Sequence, residues 1–234
     1  FPFWSPDGTR IVFGSNKGGM FDIYQKPSSG AGAEERLVTS DQFKLPTSFS
    51  ADGRFLMFQS TAPETSSDLW VAPMTGDRKP FVFLRTRFIE RFGVFSPDGR
   101  WVAYQSNESG QNEIYVRPFV PPSLGAAADQ PEGQWQVSTG GGIMPAWQPD
   151  GKELYYLNPA GALMAAPITV TGATLQPGAP VVLFPTRILG GGVDIQQGRQ
   201  HDVAPDGRFL INMVLESAAS PITLIQNWHP QRKQ

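Results

Sequence analysis

The sequence predicts an all-β fold made of a repeated unit of four short antiparallel strands. Its 234 residues include 25 Gly and 22 Pro, spread evenly along the chain, which indicates many turns and therefore many short strands. No apolar pattern with the 3.6-residue period of a helix persists over a helical length, so we expect little helix. The strongest indication is a short turn sequence ending in Asp-Gly that recurs five times.

The spacing of this turn sequence indicates the architecture. The five Asp positions are 7, 52, 98, 150 and 206, and the intervals between them are 45, 46, 52 and 56 residues. The first two intervals match the roughly 40–50 residues of one β-propeller blade. We therefore predict a β-propeller of about five four-stranded blades, the last of which has three strands in this chain. The five turns are residues 5–8, 50–53, 96–99, 148–151 and 204–207.

Each Asp-Gly pair is interpreted as turn chemistry. Pro precedes the Asp in four of the five turns and fixes φ as the second position of a type I turn requires. The Asp can then bind nearby backbone, and Gly adopts the positive φ that closes the hairpin. Five acids at matched positions are therefore structural, and we do not interpret them as metal ligands. The turn residues are Asp7 and Gly8, Asp52 and Gly53, Asp98 and Gly99, Asp150 and Gly151, and Asp206 and Gly207.

Each unit should contain one apolar strand before the turn and further strands after it. Second strands such as residues 54–59 and 100–105 are largely apolar on both faces, as expected for a sheet covered on both sides. In the first unit the predicted strands are residues 1–4, 10–14, 22–26 and 35–38; in the fourth, the third strand is 163–167. The chain is predicted to form a single propeller domain or arc, with blades at about 1–41, 42–86, 87–139, 140–186 and 187–234.

The later units depart from the regular pattern. The third contains an insertion at residues 120–133 that is rich in Pro, Ala and Gly, and a long loop at 187–199 enters the fifth. The fifth unit ends after its third strand, residues 222–227. Because propellers commonly close by letting the other terminus donate a strand, we expect the native protein to continue upstream of Phe1.

Composition excludes several functional classes. The formal net charge is −2, which gives no reason to expect nucleic acid as a partner. The chain has no Cys and only two His, so we expect neither a metal site nor a bound cofactor. No apolar run approaches the length of a membrane span. Membrane contact would therefore require a segment absent from this sequence.

Two stretches carry a family resemblance. Residues 96–110 (SPDGRWVAYQSNESG), continuing through 113–119 (EIYVRPF), resemble the TolB-type, WD-repeat-like propeller unit. Residues 135–142 (WQVSTGGG) and 221–228 (PITLIQNW) are similar to C-terminal regions of large bacterial proteins that carry a serine/threonine kinase domain and a membrane span. The resemblance covers essentially the whole chain. It implies an extracytoplasmic sensor or protein-binding domain, at the periplasm or cell surface, and kinase motifs themselves are absent.

Binding is the function that we predict, with a protein or peptide as partner, or a small ligand or glycan. The contact surface should be the mouth of the central channel together with polar loops between second and third strands, at residues 15–21, 60–67 and 106–112. Charged side chains near the starts of first strands should line that mouth. The candidate binding residues are Lys44, Glu90, Arg91, Asp194, His201 and Asp202.

A carbohydrate-active enzyme, either a glycosidase or a lyase, is the alternative. A glycosidase would need two carboxylates roughly 5–10 Å apart across the channel, and Glu90, Asp194 and Asp202 are the candidates. No Gly-x-Ser-x-Gly sequence is present, and a serine-based triad would have to use His201 or His229. The binding interpretation needs no such pairing and predicts no catalytic residue.

Overall fold

The computed structural model describes residues 2–61, 66–121, 133–195 and 198–214. Within these ranges every regular element is a β-strand, and the strands form antiparallel sheets that follow one another along the chain. The predicted all-β propeller is therefore confirmed. In the described part of the chain, no helix has the length and apolarity needed to cross a membrane.

Three sheets have four strands each, arranged in chain order as predicted. Sheet 1 contains β1 (Phe3–Trp4), β2 (Arg10–Ser15), β3 (Asp22–Pro27) and β4 (Glu35–Val38). Sheet 2 contains β5 (Phe43–Phe49), β6 (Phe55–Thr61), β7 (Asp68–Pro73) and β8 (Phe81–Leu84). Sheet 3 contains β9 (Glu90–Phe95), β10 (Trp101–Ser106), β11 (Glu113–Pro118) and β12 (Trp135–Gln136).

Sheet 4 has five strands where the sequence predicted four. Its strands are β13 (Ile143–Trp147), β14 (Glu153–Leu157), β15 (Ala162–Thr171), β16 (Thr174–Pro177) and β17 (Val181–Pro185). The difference arises because β15 is longer than the predicted strand at 163–167. Its first half pairs with β17, and its second half turns back at Gly172 (φ +62°) and pairs with β16.

Sheet 5 contains β18 (His201–Val203) and β19 (Phe209–Ile211) within the described residues. The third strand predicted at 222–227 lies outside those residues, as does most of the insertion predicted at 120–133. The extent of the fifth unit and the boundaries given for the blades therefore stay predictions.

The five Asp-Gly turns have the same geometry. In each, the Gly N–H donates to the carbonyl three residues earlier, at 2.8–2.9 Å, and the Gly φ lies between +69° and +82°. The Asp carboxylate accepts the N–H two residues later, at 2.9–3.2 Å. These contacts account for the acid at every turn without a ligand, because the carboxylate binds the chain that it reverses.

Consecutive sheets bury their apolar faces against each other. Met57 and Leu69 of sheet 2, for example, pack with Val102 and Tyr104 of sheet 3. The strand β10 is buried at every position because sheets 2 and 4 cover its two faces. This two-sided burial explains why second strands are apolar on both faces.

A glutamine side chain links sheet 2 to sheet 3, and another links sheet 3 to sheet 4. The first strands β9 and β13 each contain a bulge, at which Phe92 (φ +53°) and Met144 (φ +57°) adopt a conformation uncommon for residues other than Gly. Their N–H groups donate to Gln59 and Gln105 of the preceding sheet, each at 3.4 Å. Each bulge therefore satisfies its free N–H on the neighbouring sheet.

Between sheets 1 and 2, both the N–H donor and the glutamine acceptor of this link are absent. Four residues before the second turn, where the other bulges have an N–H donor, the chain has Pro46, which has none. The position that corresponds to Gln59 in sheet 1 is Gly14. A Cβ added to Gly14 would lie 2.9 Å from Leu45 Cδ2, so a longer side chain would collide with sheet 2. Sheet 1 therefore has no glutamine acceptor opposite the position at which sheet 2 has no N–H donor.

Substituting Gly99 with Ala tests the turn geometry. Gly99 has φ +69° and open space around the position of a Cβ, so the expected cost is backbone strain alone, about 1–2 kcal/mol of unfolding free energy. Urea denaturation measures it. Gly99→Asn is the matched control and should lose less, since Asn tolerates positive φ better than Ala. An Ala variant as stable as wild type would contradict this account.

Replacing Gln59 with Leu tests the link between sheets 2 and 3. The change leaves the buried Phe92 N–H without its acceptor, and the expected loss of stability is about 1–3 kcal/mol. Gln176→Leu, at an exposed position of β16, is the control and should change stability little. Equal effects of the two substitutions in urea denaturation would show that the link contributes nothing.

Candidate functional site

A cavity of about 1220 Å³ lies where the first strands of four sheets, which we call the inner strands, converge. Residues of β1, β5, β9 and β18 line it, so it occupies the position expected for the central channel of a propeller. Its wall is mainly apolar and aromatic. Besides three prolines, the apolar lining residues are Phe3, Trp4, Phe21, Phe43, Leu45, Phe49, Phe92, Val94, Leu210 and Ile211.

Two apolar side chains on this wall are largely exposed. Trp4 of β1 is 60% exposed and Leu210 of β19 is 76% exposed. Single exposed apolar residues are ordinary on a protein surface, but here both belong to a concave site. Apolar walls with a few polar groups are typical of sites that bind other molecules.

Three of the six candidate binding residues line this cavity: Arg91, His201 and Asp202. Asp202 is the only acid among the described lining residues, and it accepts a hydrogen bond from Arg199 at 3.2 Å. The other candidates, Lys44, Glu90 and Asp194, are not among the lining residues. Three of the six predicted binding residues therefore line the cavity, and the other three contact groups elsewhere.

His201 is a polar residue buried in the cavity wall. It is 3% exposed, and neither ring nitrogen has a hydrogen-bond partner within the described part of the chain. Burial, with a smaller contribution from the charge of Arg199, lowers the pKa of His201 to about 3. The imidazole is therefore neutral at physiological pH and presents one donor and one acceptor.

Asp194 connects the loop before β18 to sheet 3. Its Oδ2 accepts hydrogen bonds from Arg91 Nη1 and Gln105 Nε2, both at 3.1 Å, and its side chain is 6% exposed. Gln105 also accepts the N–H of Met144, as described above. Asp194 thereby holds Arg91 at the edge of the cavity and joins the network that links sheets 3 and 4.

We call the gap between two consecutive sheets a wedge. In three wedges, the inner end contains a buried acid. The acid is the first residue of the third strand: Asp22 in β3, Asp68 in β7 and Glu113 in β11, each 0–1% exposed. Sequence reasoning missed these residues as site residues. A signal was available, because an acid followed by an aliphatic and an aromatic residue occurs at 22–24, 68–70 and 113–115.

Lys44 neutralises the acid of the wedge between sheets 1 and 2. Its Nζ lies 2.6 Å from Asp22 Oδ1 and donates to the Ser40 carbonyl (3.1 Å), Ser40 Oγ (2.7 Å) and the Gln42 carbonyl (2.6 Å). Arg36 also pairs with Asp22. Because Lys44 is 1% exposed and bound on several sides, its role in the structure is that of a buried ion-pair partner.

In the wedge between sheets 3 and 4, neutral donors bind the acid. Glu113 accepts hydrogen bonds from Gln111 Nε2 (2.7 Å), from the Gly141 N–H (2.8 Å) and from the Ser138 hydroxyl. A Cβ on the neighbouring Gly142 would lie 2.5 Å from Ser138 Oγ, so no side chain can enter this wedge.

The wedge between sheets 2 and 3 contains two acids. Asp68 Oδ2 pairs with Arg85 Nε at 3.1 Å, and Glu90, which is 1% exposed, accepts the hydroxyl of Thr86. Burial of Glu90 outweighs the Thr86 hydrogen bond and, with repulsion from Asp68 and Glu108, raises the pKa of Glu90 to about 7. Glu90 is therefore largely protonated below neutral pH.

The three carboxylates considered for catalysis contact different partners. Glu90 contacts Thr86, Asp194 contacts Arg91 and Gln105, and Asp202 contacts Arg199. Within the described ranges, no group of three or more His, Cys, Asp or Glu residues is placed to hold a metal ion.

Glu90→Gln tests the raised pKa. The ordinary carboxyl value is 4.5, so the folded state binds this proton more tightly than the unfolded state does. Wild-type stability should therefore fall as pH rises from about 4.5 to about 7, and the Gln variant should lack that fall. Urea denaturation across this range measures it. Glu34→Gln, which changes an acid paired with Lys17, should retain the fall; an unchanged profile for Glu90→Gln would refute the assignment.

Comparison with solved structures shows the fold. TolB from Acinetobacter baumannii aligns with a TM-score of 0.60 and 20% identity, over 80% of this chain and 43% of that one. A putative TolB from Agrobacterium tumefaciens gives 0.61 and 16%, over 88% and 70%. A puromycin-hydrolyzing peptidase from Mycobacterium tuberculosis gives 0.53 and 18%, over 78% and 30%.

No protein-family model and no curated protein sequence matches the chain. The chain spans less than half the length of the Acinetobacter TolB. At identities of 16–20%, the similarity shows the fold and not the activity. The resemblance to bacterial kinase-like membrane proteins stays a prediction. What the alignments confirm is the TolB-type part of the predicted resemblance: the chain has a TolB-like β-propeller fold.

Proposed function

We propose that this chain is a non-catalytic binding domain that receives a segment of a protein or peptide in its central cavity. The observation that carries the proposal is the cavity wall, in which apolar and aromatic side chains, with Trp4 and Leu210 largely exposed, lie beside polar groups. Such a wall provides favourable burial for apolar side chains of a partner, at roughly 25 cal/mol per Å² of apolar surface.

The size of the cavity supports a peptide segment over a small ligand. Its volume of about 1220 Å³ exceeds the roughly 300–1,000 Å³ usual for small-molecule pockets. Trp4 and Leu210 offer apolar contacts, while the amide of Asn212 can donate and accept hydrogen bonds. A peptide backbone presents the complementary groups at regular intervals.

The carbohydrate-active alternative finds less support. A glycosidase needs a pair of carboxylates facing one site, whereas Asp202 is the one acid among the described lining residues. Glu90 and Asp194 bind groups of the wedge and of sheet 3. The likeness to a peptidase covers 30% of that protein and is a likeness of fold.

The wider assignment is also a proposal. We infer from the sequence resemblance that this domain is the sensor or scaffold part of a larger bacterial protein and that it acts outside the cytoplasm. We propose a single propeller domain or arc with the blade boundaries given above. A small ligand or a glycan remains the second class of partner for the same cavity.

Selection of displayed random linear peptides against the chain tests the proposal. The enriched peptides should bind wild type and lose about tenfold or more in affinity for Leu210→Glu, because the charge enters the apolar wall. Val182→Glu is the matched control: Val182 is 59% exposed but does not line the cavity, and its substitution should leave binding unchanged. Fluorescence polarisation measures both.

Two results would contradict the proposal. One is the absence of any enriched peptide, or peptides that bind both variants equally. The other is sustained hydrolysis of chromogenic glycosides by wild type that Asp202→Asn abolishes, which would favour the enzyme.

A further inference from the structure

Two polar side chains of sheet 2 line the central cavity and also bind the backbone of sheet 3. Gln59 Oε1 accepts the N–H of Phe92 at 3.4 Å, and Ser48 Oγ accepts the N–H of Phe95 at 3.2 Å. Both side chains belong to the cavity wall. Since each oxygen is engaged by sheet 3, the Gln59 Nε2 amide and the Ser48 hydroxyl hydrogen are left as donors on that wall.

The amide of Gln59 is held in one orientation. Gln59 is 8% exposed, and because the Phe92 N–H needs an acceptor, the amide oxygen and not the nitrogen faces sheet 3. Within the described part of the chain, Nε2 makes no hydrogen bond. In its counterpart Gln105, the same nitrogen donates to Asp194 Oδ2 at 3.1 Å. At Gln59, the equivalent oxygen has to come from a bound partner.

Arg91 adds to the donors on this side of the cavity. It lies on β9 of sheet 3, and its guanidinium has donors and no acceptor. The one acid among the described lining residues, Asp202, belongs to β18 of sheet 5 and accepts a hydrogen bond from Arg199. The charged and amide groups that sheets 2 and 3 contribute to the wall are therefore donors.

Aromatic rings accompany these donors along β5. Phe43 begins this strand and Phe49 ends it. The ring of Phe43 packs with that of Phe21 at 5.3 Å between centroids, and the ring of Phe49 packs with that of Phe3 at 5.6 Å. All four residues line the cavity and are half-buried, and Trp4 next to Phe3 is 60% exposed. The two aromatic pairs are separated by roughly 20 Å of strand, a distance that about six or seven residues of an extended peptide cover.

We propose that the segment bound in this cavity is proline-rich and adopts the polyproline II conformation, an inference that rests on the proposed binding function. Proline has no N–H, so such a segment offers carbonyl oxygens to Gln59, Ser48 and Arg91 and brings few donors that need acceptors there. The polyproline II backbone makes no internal hydrogen bonds, which leaves those carbonyls free. Aromatic-lined grooves are the surfaces on which proline-rich segments dock. A segment without proline would place its N–H groups against side chains that are themselves donors.

Selection of the full chain against two displayed peptide libraries tests the proposal. One library has Pro fixed at every third position, which places the fixed residues on one face of a polyproline II helix, and the other has Ala there; the remaining positions are random in both. Binders should come mainly from the Pro library. Replacing the fixed prolines of an enriched peptide with Ala should weaken its binding about tenfold or more, as measured by fluorescence polarisation.

Two variants of the chain test the two parts of the wall. Gln59→Glu keeps an oxygen for the Phe92 N–H but replaces the Nε2 donor with a second oxygen, and it should weaken binding of the enriched peptide about tenfold. Trp4→Leu keeps an apolar side chain but removes the ring, and it should also weaken binding. Because Trp4 is 60% exposed, this variant serves if Gln59→Glu fails to fold. Gln176→Glu makes the same chemical change at an exposed position outside the cavity and should leave binding unchanged.

The possible results separate this inference from the proposed function. If both libraries yield equal binders, or if the enriched peptides keep their affinity with Ala in place of Pro, the inference is wrong. The proposed function still holds in that case, provided that Leu210→Glu weakens binding of the same peptides. If affinity is unchanged by both Gln59→Glu and Trp4→Leu, the peptides bind elsewhere and the inference is also wrong. If neither library yields a binder, the proposed function fails and this inference fails with it.

Discussion

Burial of an acid at the inner end of three wedges is the constraint on which much of this structure depends. Asp22, Asp68 and Glu113 each begin a third strand at a point that neighbouring sheets close from water. A buried carboxylate is costly unless it is paired or hydrogen-bonded. The chain supplies an ammonium in the first wedge, an arginine beside a second acid in the next, and main-chain and hydroxyl donors in the third.

These contacts also fix the walls of the central cavity. At or just before the start of β5, β9 and β13, an N–H donates to the preceding sheet, and the bulges of β9 and β13 are bound again through Gln59 and Gln105. Through these hydrogen bonds, β9 and β13 are held at two points, and β5, which has Pro46 at the equivalent position, at one. An apolar wall supported in this way is already arranged for a partner, which lowers the conformational cost of binding.

Sequence reasoning recovered the features that depend on local chemistry. An Asp-Gly turn is specified by four adjacent residues, so all five turns and most strands could be predicted. The β16 strand could not, because β15 continues past its expected end only where a second hairpin is available to pair with it. Lys44 and Glu90 were taken for residues of the channel mouth because charged residues in loops are usually exposed. Their burial depends on the acid of another sheet, some twenty residues away in the chain.

The unlike chemistry of the wedges has a consequence for the order of the repeats. Gly14 of sheet 1 fits against Pro46 of sheet 2. The first strand of sheet 3, by contrast, has a bulge at Phe92 whose N–H requires an acceptor such as Gln59. Lys44 likewise suits Asp22, whereas Glu113 is enclosed where no side chain can enter. Each sheet is thus complementary to one neighbour and poorly matched to the others. Although the repeats have the same strand order, they are not interchangeable. If two copies of the chain exchanged a sheet, these contacts would be preserved only where the exchanged sheet lay between its native neighbours.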